Sequence, residues 1–189
     1  MGAAVPRFVA CLLDLDPGSL INATTYNRFV RLNRHVEESW SDIDVELKRR
    51  YELIPNLVET VKGYAAFERD LLERIVRLRN RAMHSTGTAT SQAVDESALM
   101  IGMKQLFAVV EDYPDIKANA QFLALQKELG NTEDRIAAAR RFFNGNVRDL
   151  NVLLESFPAS LVGKRFNFQE ATFFELDSEA ERVVPHVAV

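Results

Sequence analysis

Ile136, Phe143, Leu150 and Phe157 stand seven residues apart, and Val147 and Leu154 widen the same row. Seven steps return a helical side chain to nearly the same face, whereas on a strand an odd step lands on the opposite face. The stretch is therefore a helix with one side to bury, and Pro158 ends it. The same step recurs at Phe29, Val36 and Ile43, with Trp40, Leu47 and Ile54 as an adjoining row. These two rows predict a helix of about 28 residues from Tyr26, roughly 40 Å long. Between them, Asp44–Lys48 and Glu46–Arg50 are acid-before-base pairs at i,i+4, which read as a solvated face contributing about 0.3 kcal/mol per pair. Pro55 lacks an N–H and crowds the preceding turn, so a kink or tight helix break is expected there.

A second helix is predicted from about Asn56 to His84 on Leu57, Val58, Val61, Tyr64, Ala65, Leu71, Leu72, Ile75, Leu78 and Ala82. Ser85 to Ala93 is small, polar and aperiodic, and reads as a linker. A third helix carries Leu99, Met103, Leu106, Phe107 and Val110, stops before Pro114, and restarts at Asp115. Phe122, Leu125 and Leu129 take that stripe to Gly130, expected as a left-handed C-cap. Asn131 then reads as the N-cap of the last helix, with Glu133 and Asp134 in its first turn. Eight Gly and six Pro in 189 residues are too few for the turns of a β-sandwich or a Rossmann fold. The predicted class is all-α: an antiparallel, four-helix-bundle-like arrangement of long Pro-broken helices. The expected organisation is an N-terminal tail over 1–19, a bundle over 20–158, and an extended Phe-rich tail over 159–189 packing on the bundle.

Four stretches in order carry a family likeness. They are Trp40 to Tyr64 (WSDIDVELKRRYELIPNLVETVKGY), Val110 to Asn119 (VEDYPDIKAN), Leu125 to Leu129 (LQKEL) and Thr132 to Phe142 (TEDRIAAARRF). Together with the Phe166/Phe168 and Phe173/Phe174 pairs, they resemble the LemA family over roughly residues 26 to 187. The resemblance implies an α-helical bundle, in bacteria usually carried behind an N-terminal transmembrane anchor. It implies no established activity and no catalytic residues. The family's relatives include a protein associated with magnetosome membranes, which implies a scaffold role.

The residues before Tyr26 depart from that pattern. The apolar run Phe8 to Leu13 ends at Asp14 and Asp16, far short of the ~20 residues a membrane-crossing helix needs. A signal peptide is disfavoured by the missing cleavage site, and myristoylation by Pro6 where Ser or Thr is wanted. As written, the expectation is a soluble or peripheral protein. A single-pass protein is expected if the N-terminus is truncated or misassigned.

Chemistry finds few footholds. One cysteine, Cys11, excludes an internal disulfide and a Cys-rich metal site. His35, His84 and His186 stand outside zincin and di-iron spacings, and Gly163-Lys164 is no part of a phosphate-binding loop. No cofactor, catalytic residue or small-molecule substrate is expected. Glu37, Glu38, Asp42 and Asp44 read as an ion-paired face. The alternative is a divalent-metal module or enzyme built on Glu38 and Asp42. Asn56, Tyr64, Asn119 and Arg140 read as polar groups that satisfy backbone freed at Pro55 and Pro114 or pair across the bundle. The net charge of −4 and the absence of aromatics among the arginines exclude nucleic acid as the expected partner. Arg74, Arg77 and Arg81 align on one side of the second helix, and Phe166, Phe168, Phe173 and Phe174 crowd the tail. These seven are the candidate interaction residues, for a protein partner, a second copy, or an anionic membrane surface. The function expected is that of a non-enzymatic scaffold at or near a bacterial membrane.

Overall fold

A computed structural model describes residues 17–64, 68–85 and 88–176, with the side chains of 17–21 outside that description. The helices are α1 (Pro17–Lys62), α2 (Arg69–Met83), α3 (Ala89–Val110), α4 (Pro114–Lys117), α5 (Ala120–Glu155) and α6 (Ala159–Arg165). No strand occurs among the described residues, so the all-α class holds. The described residues divide into two compact units: 17–37 with Asn146–Ala171, and those of Glu38–Gly145 with 172–176.

Within Glu38–Gly145, α1 and α5 run antiparallel. As the chain advances through Glu46 and Arg50 of α1 to Tyr64 just beyond it, the partners recede through Arg135 and Glu133 of α5 to Asn119 just before it. The helices α2 and α3 are likewise antiparallel, with Arg74 meeting Gln105 and Arg81 meeting Asp95. The buried side chains are those of the predicted rows: Ile43, Leu47, Ile54, Leu57 and Val61 on α1, Leu99 and Leu106 on α3, and Phe122, Leu129, Ile136 and Phe143 on α5. Burying such rows is what stabilises helices that would be marginal alone.

Two expected breaks are absent. The helix α1 continues through Pro55 to Lys62 without the tight break, so residues 56–62 belong to it and α2 is a separate, shorter helix. Proline withholds the N–H that the Tyr51 carbonyl would otherwise accept. The Arg79 Nε–H of α2 donates to that carbonyl instead, at 3.0 Å. Nor does Gly130 cap a helix: no described glycine has positive φ, and α5 continues through Gly130 and Asn131. The row Phe122, Leu129, Ile136, Phe143 is unbroken across that point, and its burial outweighs the roughly 1 kcal/mol a mid-helix glycine costs.

The actual caps lie elsewhere. The helix α3 begins within the expected linker, with Thr88 Oγ1 accepting from the Ser91 N–H at 3.4 Å. Asn119 starts α5, its Oδ1 accepting from the N–H groups of Gln121 and Phe122 at 2.9 and 3.0 Å. Pro114 opens only the single turn α4.

Residues 146–171 and the first part of α1 form the other unit. Phe29, Leu150, Leu153, Ala159 and Val162 are its core, and Phe168 stacks on Phe29 with ring centres 4.9 Å apart. Residues 159–165, expected to be extended, are the helix α6. It closes with Asn167 at φ 58°, the Phe168 N–H donating to the Gly163 carbonyl and the Asn167 N–H to that of Lys164. This is a Schellman C-cap with asparagine in the left-handed position. A Cβ on Gly163 would lie 2.9 Å from Leu154 Cδ2 and 3.3 Å from the Phe29 ring, so any side chain there would have to displace Leu154 and press on Phe29. Phe157, expected on the core row, is 83% exposed because α5 ends at Glu155.

Residues 168–176 are neither helix nor strand, as expected of the tail. Asparagine amides take the place of a partner strand. Asn151 exchanges two hydrogen bonds with the Ala171 backbone, both at 2.9 Å. Asn144 does the same with Phe174, at 3.1 and 2.9 Å.

The role given to Arg79 is open to a double-mutant cycle. Arg79→Leu is expected to cost about 1–3 kcal/mol by orphaning the Tyr51 carbonyl. In a Pro55→Ala background, where residue 55 can donate to that carbonyl, the same change should cost clearly less. Equal losses by urea denaturation in both backgrounds would contradict this assignment.

Candidate functional site

The polar cluster most unlike a surface feature lies inside Glu38–Gly145. Arg50 sits seven residues after Ile43 and seven before Leu57, on the buried row itself, and is 2% exposed. Gln92 and Glu96 likewise continue backwards the row of Leu99, Met103, Leu106 and Val110, and both are buried. The Arg50 guanidinium pairs with Glu96 Oε2, and its Nη1 lies 2.9 and 3.1 Å from the two carboxylate oxygens of Glu133. The Tyr51 hydroxyl donates to Glu96 Oε1. Gln92 Nε2 lies 2.9 Å from Glu96 Oε1 and 3.2 Å from both Tyr51 Oη and the Ala82 carbonyl. One network thus reaches α1, α2, α3 and α5.

Helical spacing alone pairs Arg50 with Glu46 on a solvated face. Arg50 instead turns inward, and Glu46 lies 3.9 Å from Arg135. The signal that reveals this is register, since Arg50 occupies the apolar row at a seven-residue step. Burial pushes the Tyr51 hydroxyl up to about 12, with the adjacent Arg50 charge opposing that rise. The phenol therefore remains a proton donor to Glu96 at neutral pH. Arg49 with Glu128 forms a more exposed clasp outside the network.

The polar residues of the motif stretches separate. Asn119 Nδ2 donates to Tyr64 Oη at 3.1 Å while its Oδ1 caps α5, which is the pairing across helices expected of them. Asn56 is exposed and Arg140 is half-buried on α5.

The predicted interaction residues are dispersed. Arg74 bonds Gln105 Oε1 at 3.2 Å, Arg77 lies 3.8 Å from Glu73, and Arg81 Nε lies 2.7 Å from Asp95. The basic side of α2 is therefore neutralised in part by its own neighbours. Phe174 is 1% exposed and meets Trp40 edge-on at 5.5 Å, and Phe168 covers Phe29. Phe166 and Phe173 are 53% and 36% exposed, and Phe166 leans on Tyr26 at 4.8 Å.

The carboxylates of α1 do not converge. Glu37 accepts from Asn33 and Arg34 at 3.0 and 2.6 Å. Among the described residues, no group of three or more His, Cys, Asp or Glu is placed to hold a metal ion. His84 Nδ1 lies 2.7 Å from the Asn80 carbonyl on an exposed turn, and the His35 carbonyl accepts from Asn146. Cys11, His186, Ala65 and the apolar run Phe8 to Leu13 lie outside the described residues. No helix among the described residues is long and apolar enough to cross a membrane.

A family model described as the LemA family matches residues 39–188, which includes all of the buried network. The chain belongs to the LemA family. It is 26% identical over 157 residues to Protein LemA of Metamycoplasma hominis, an alignment covering 83% of this chain and 71% of that protein. It is 23% identical over 174 residues to the magnetosome protein MamQ of Magnetospirillum gryphiswaldense. A second MamQ, from Paramagnetospirillum magneticum, is 23% identical over 175 residues. The alignments cover 79% of this LemA family chain but only 64% of either MamQ protein.

The Tyr51 environment predicts a pH dependence. The unfolded chain ionises this phenol near its ordinary value of 10.0, while the folded chain holds the proton to about 12. Its contribution to stability is therefore complete below about pH 10 and is lost as pH rises from there towards 12. One proton held over the two pH units between these values corresponds to roughly 3 kcal/mol at most. Urea midpoints measured across this range should fall less steeply for Tyr51→Phe than for the parent chain. Parallel slopes would contradict the assignment.

Proposed function

We propose that this LemA family chain works by interaction and not by catalysis, as a helical scaffold at or near a bacterial membrane surface. The observation that carries the reading is the fate of its polar groups. Arg50, Tyr51, Gln92 and Glu96 are buried and bonded to one another, whereas substrate sites present convergent polar groups in an open cavity. What stands on the surface instead includes large apolar side chains: Phe157 at 83% and Leu161 at 60% exposure. Exposed apolar groups that neighbour one another, as Phe157 and Leu161 do at four residues' spacing, mark contact with a protein or a bilayer, whereas single ones do not. The naming of two relatives as magnetosome proteins supports work at an organelle surface.

The test is flotation of the purified chain with vesicles rich in anionic phospholipid, alongside pull-down from a bacterial lysate. Co-flotation that weakens with salt, or saturable recovery of a protein partner, is the expected outcome. A chain that floats with no vesicle and retains no protein would overturn the scaffold reading.

A further inference from the structure

The outer face of α6 belongs to neither the buried rows nor the polar network. Ala159, Val162 and Gly163 are the buried side of this helix, which turns Leu161, Lys164 and Arg165 outward. Phe157 precedes it at 83% exposure, and Phe166 follows at 53%, with the Arg165 guanidinium 6.0 Å from its ring centre. Phe157 also borders an open cleft lined by Arg28 and Arg31 of α1 and by Val152 and Asp149 of α5. Val152 is itself 54% exposed. Phe157 thus borders Arg28 and Arg31, with Asp149 in the same cleft, while Leu161 and Phe166 are exposed beside Lys164 and Arg165 in the chain.

We propose that this face of the unit formed by α6, the end of α5 and the first part of α1 is the surface that seats on an anionic phospholipid bilayer. The proposal deepens the membrane-surface reading and rests on it. Charge selects this occupant. Over residues 22–37 and 146–171 the basic side chains number six (Arg28, Arg31, Arg34, Arg148, Lys164 and Arg165). The acidic ones number four (Glu37, Asp149, Glu155 and Glu170), although the whole chain carries −4. A second copy seated on the same patch would bring Arg28, Arg31, Lys164 and Arg165 against their own kind, an arrangement that is repulsive at an interface. A bilayer asks for no shape complementarity. Apolar tips enter the headgroup boundary while the flanking cations meet lipid phosphates, and the two contributions add. Aromatic and basic side chains together are the usual composition of such a boundary.

Three variants of the full chain test this: Phe157→Ser with Leu161→Ser, Lys164→Gln with Arg165→Gln, and Phe142→Ser as a control. Phe142 is 62% exposed and lies in the other unit. All five positions are exposed, and circular dichroism checks that each variant keeps its helix content. Binding to vesicles of phosphatidylglycerol with phosphatidylcholine should fall roughly tenfold or more in each double variant, from lost apolar insertion or lost charge. The charge variant should also show a shallower salt dependence, and the control should match the parent. If the parent chain binds and the double variants bind equally well, this face is not the contact and the membrane reading stands without it. If the parent chain binds no vesicle, the membrane reading and this proposal both fall. If Phe157→Ser with Leu161→Ser abolishes a concentration-dependent shift in sizing chromatography while vesicle binding persists, the face joins copies of the chain, and the proposal is overturned.

Discussion

Arg50 lies on a row otherwise made of Phe29, Val36, Ile43 and Leu57, and a guanidinium there costs several kcal/mol unless carboxylates meet it. Glu96 and Glu133 meet it from α3 and α5, and Tyr51 and Gln92 occupy the rest of the Glu96 carboxylate. The apolar rows of these helices could slide by one seven-residue step and still bury leucine against isoleucine. The ion network could not, because the same slide would strand Arg50 opposite an apolar side chain. The hydrophobic rows supply the gross stabilisation of Glu38–Gly145, and the network selects one register among several that burial alone would tolerate.

A second kind of constraint operates on the tail. An extended segment beside a helix has backbone N–H and C=O groups with no ladder to join, and each one left dry is costly. Asn144 and Asn151 stand seven apart on α5 and offer an amide donor and acceptor to Phe174 and Ala171. Side chains imitate a strand without a sheet being present. Such pairing leaves Phe168 and Phe174 free to serve the cores on which they pack, while Phe157, Leu161 and Phe166 stay outside. The division between apolar groups inside and outside is what directs the functional reading towards contact with a surface.

The heptad rows and the all-α class are legible in the amino-acid sequence, because seven-residue spacing has one simple geometric meaning. Pro55 and Gly130 read locally as stops and are not. Local rules describe what such residues prefer, but the outcome is decided from a distance. Arg79, 28 residues beyond Tyr51, satisfies the carbonyl that Pro55 releases, and the continuous row through Gly130 outweighs its poor propensity. Arg50, Gln92 and Glu96 are recognisable as polar residues in apolar register, although their partners are not. The helix α6 escapes sequence reasoning because it is short and its stop signal is Asn167, not a glycine.

The decisive measurement is an equilibrium double-mutant cycle on Arg50→Met and Glu96→Leu, read by urea unfolding. Each single change leaves a buried partner unmatched and is expected to cost about 3–5 kcal/mol, whereas the double change removes both charges of the pair and should cost clearly less than the sum, with Glu133 and the Tyr51 and Gln92 donors accounting for the remaining loss. Additive losses, with the double variant destabilised by the sum of the two, would contradict the claim that this pair is one interaction on which the packing of α1 and α3 depends.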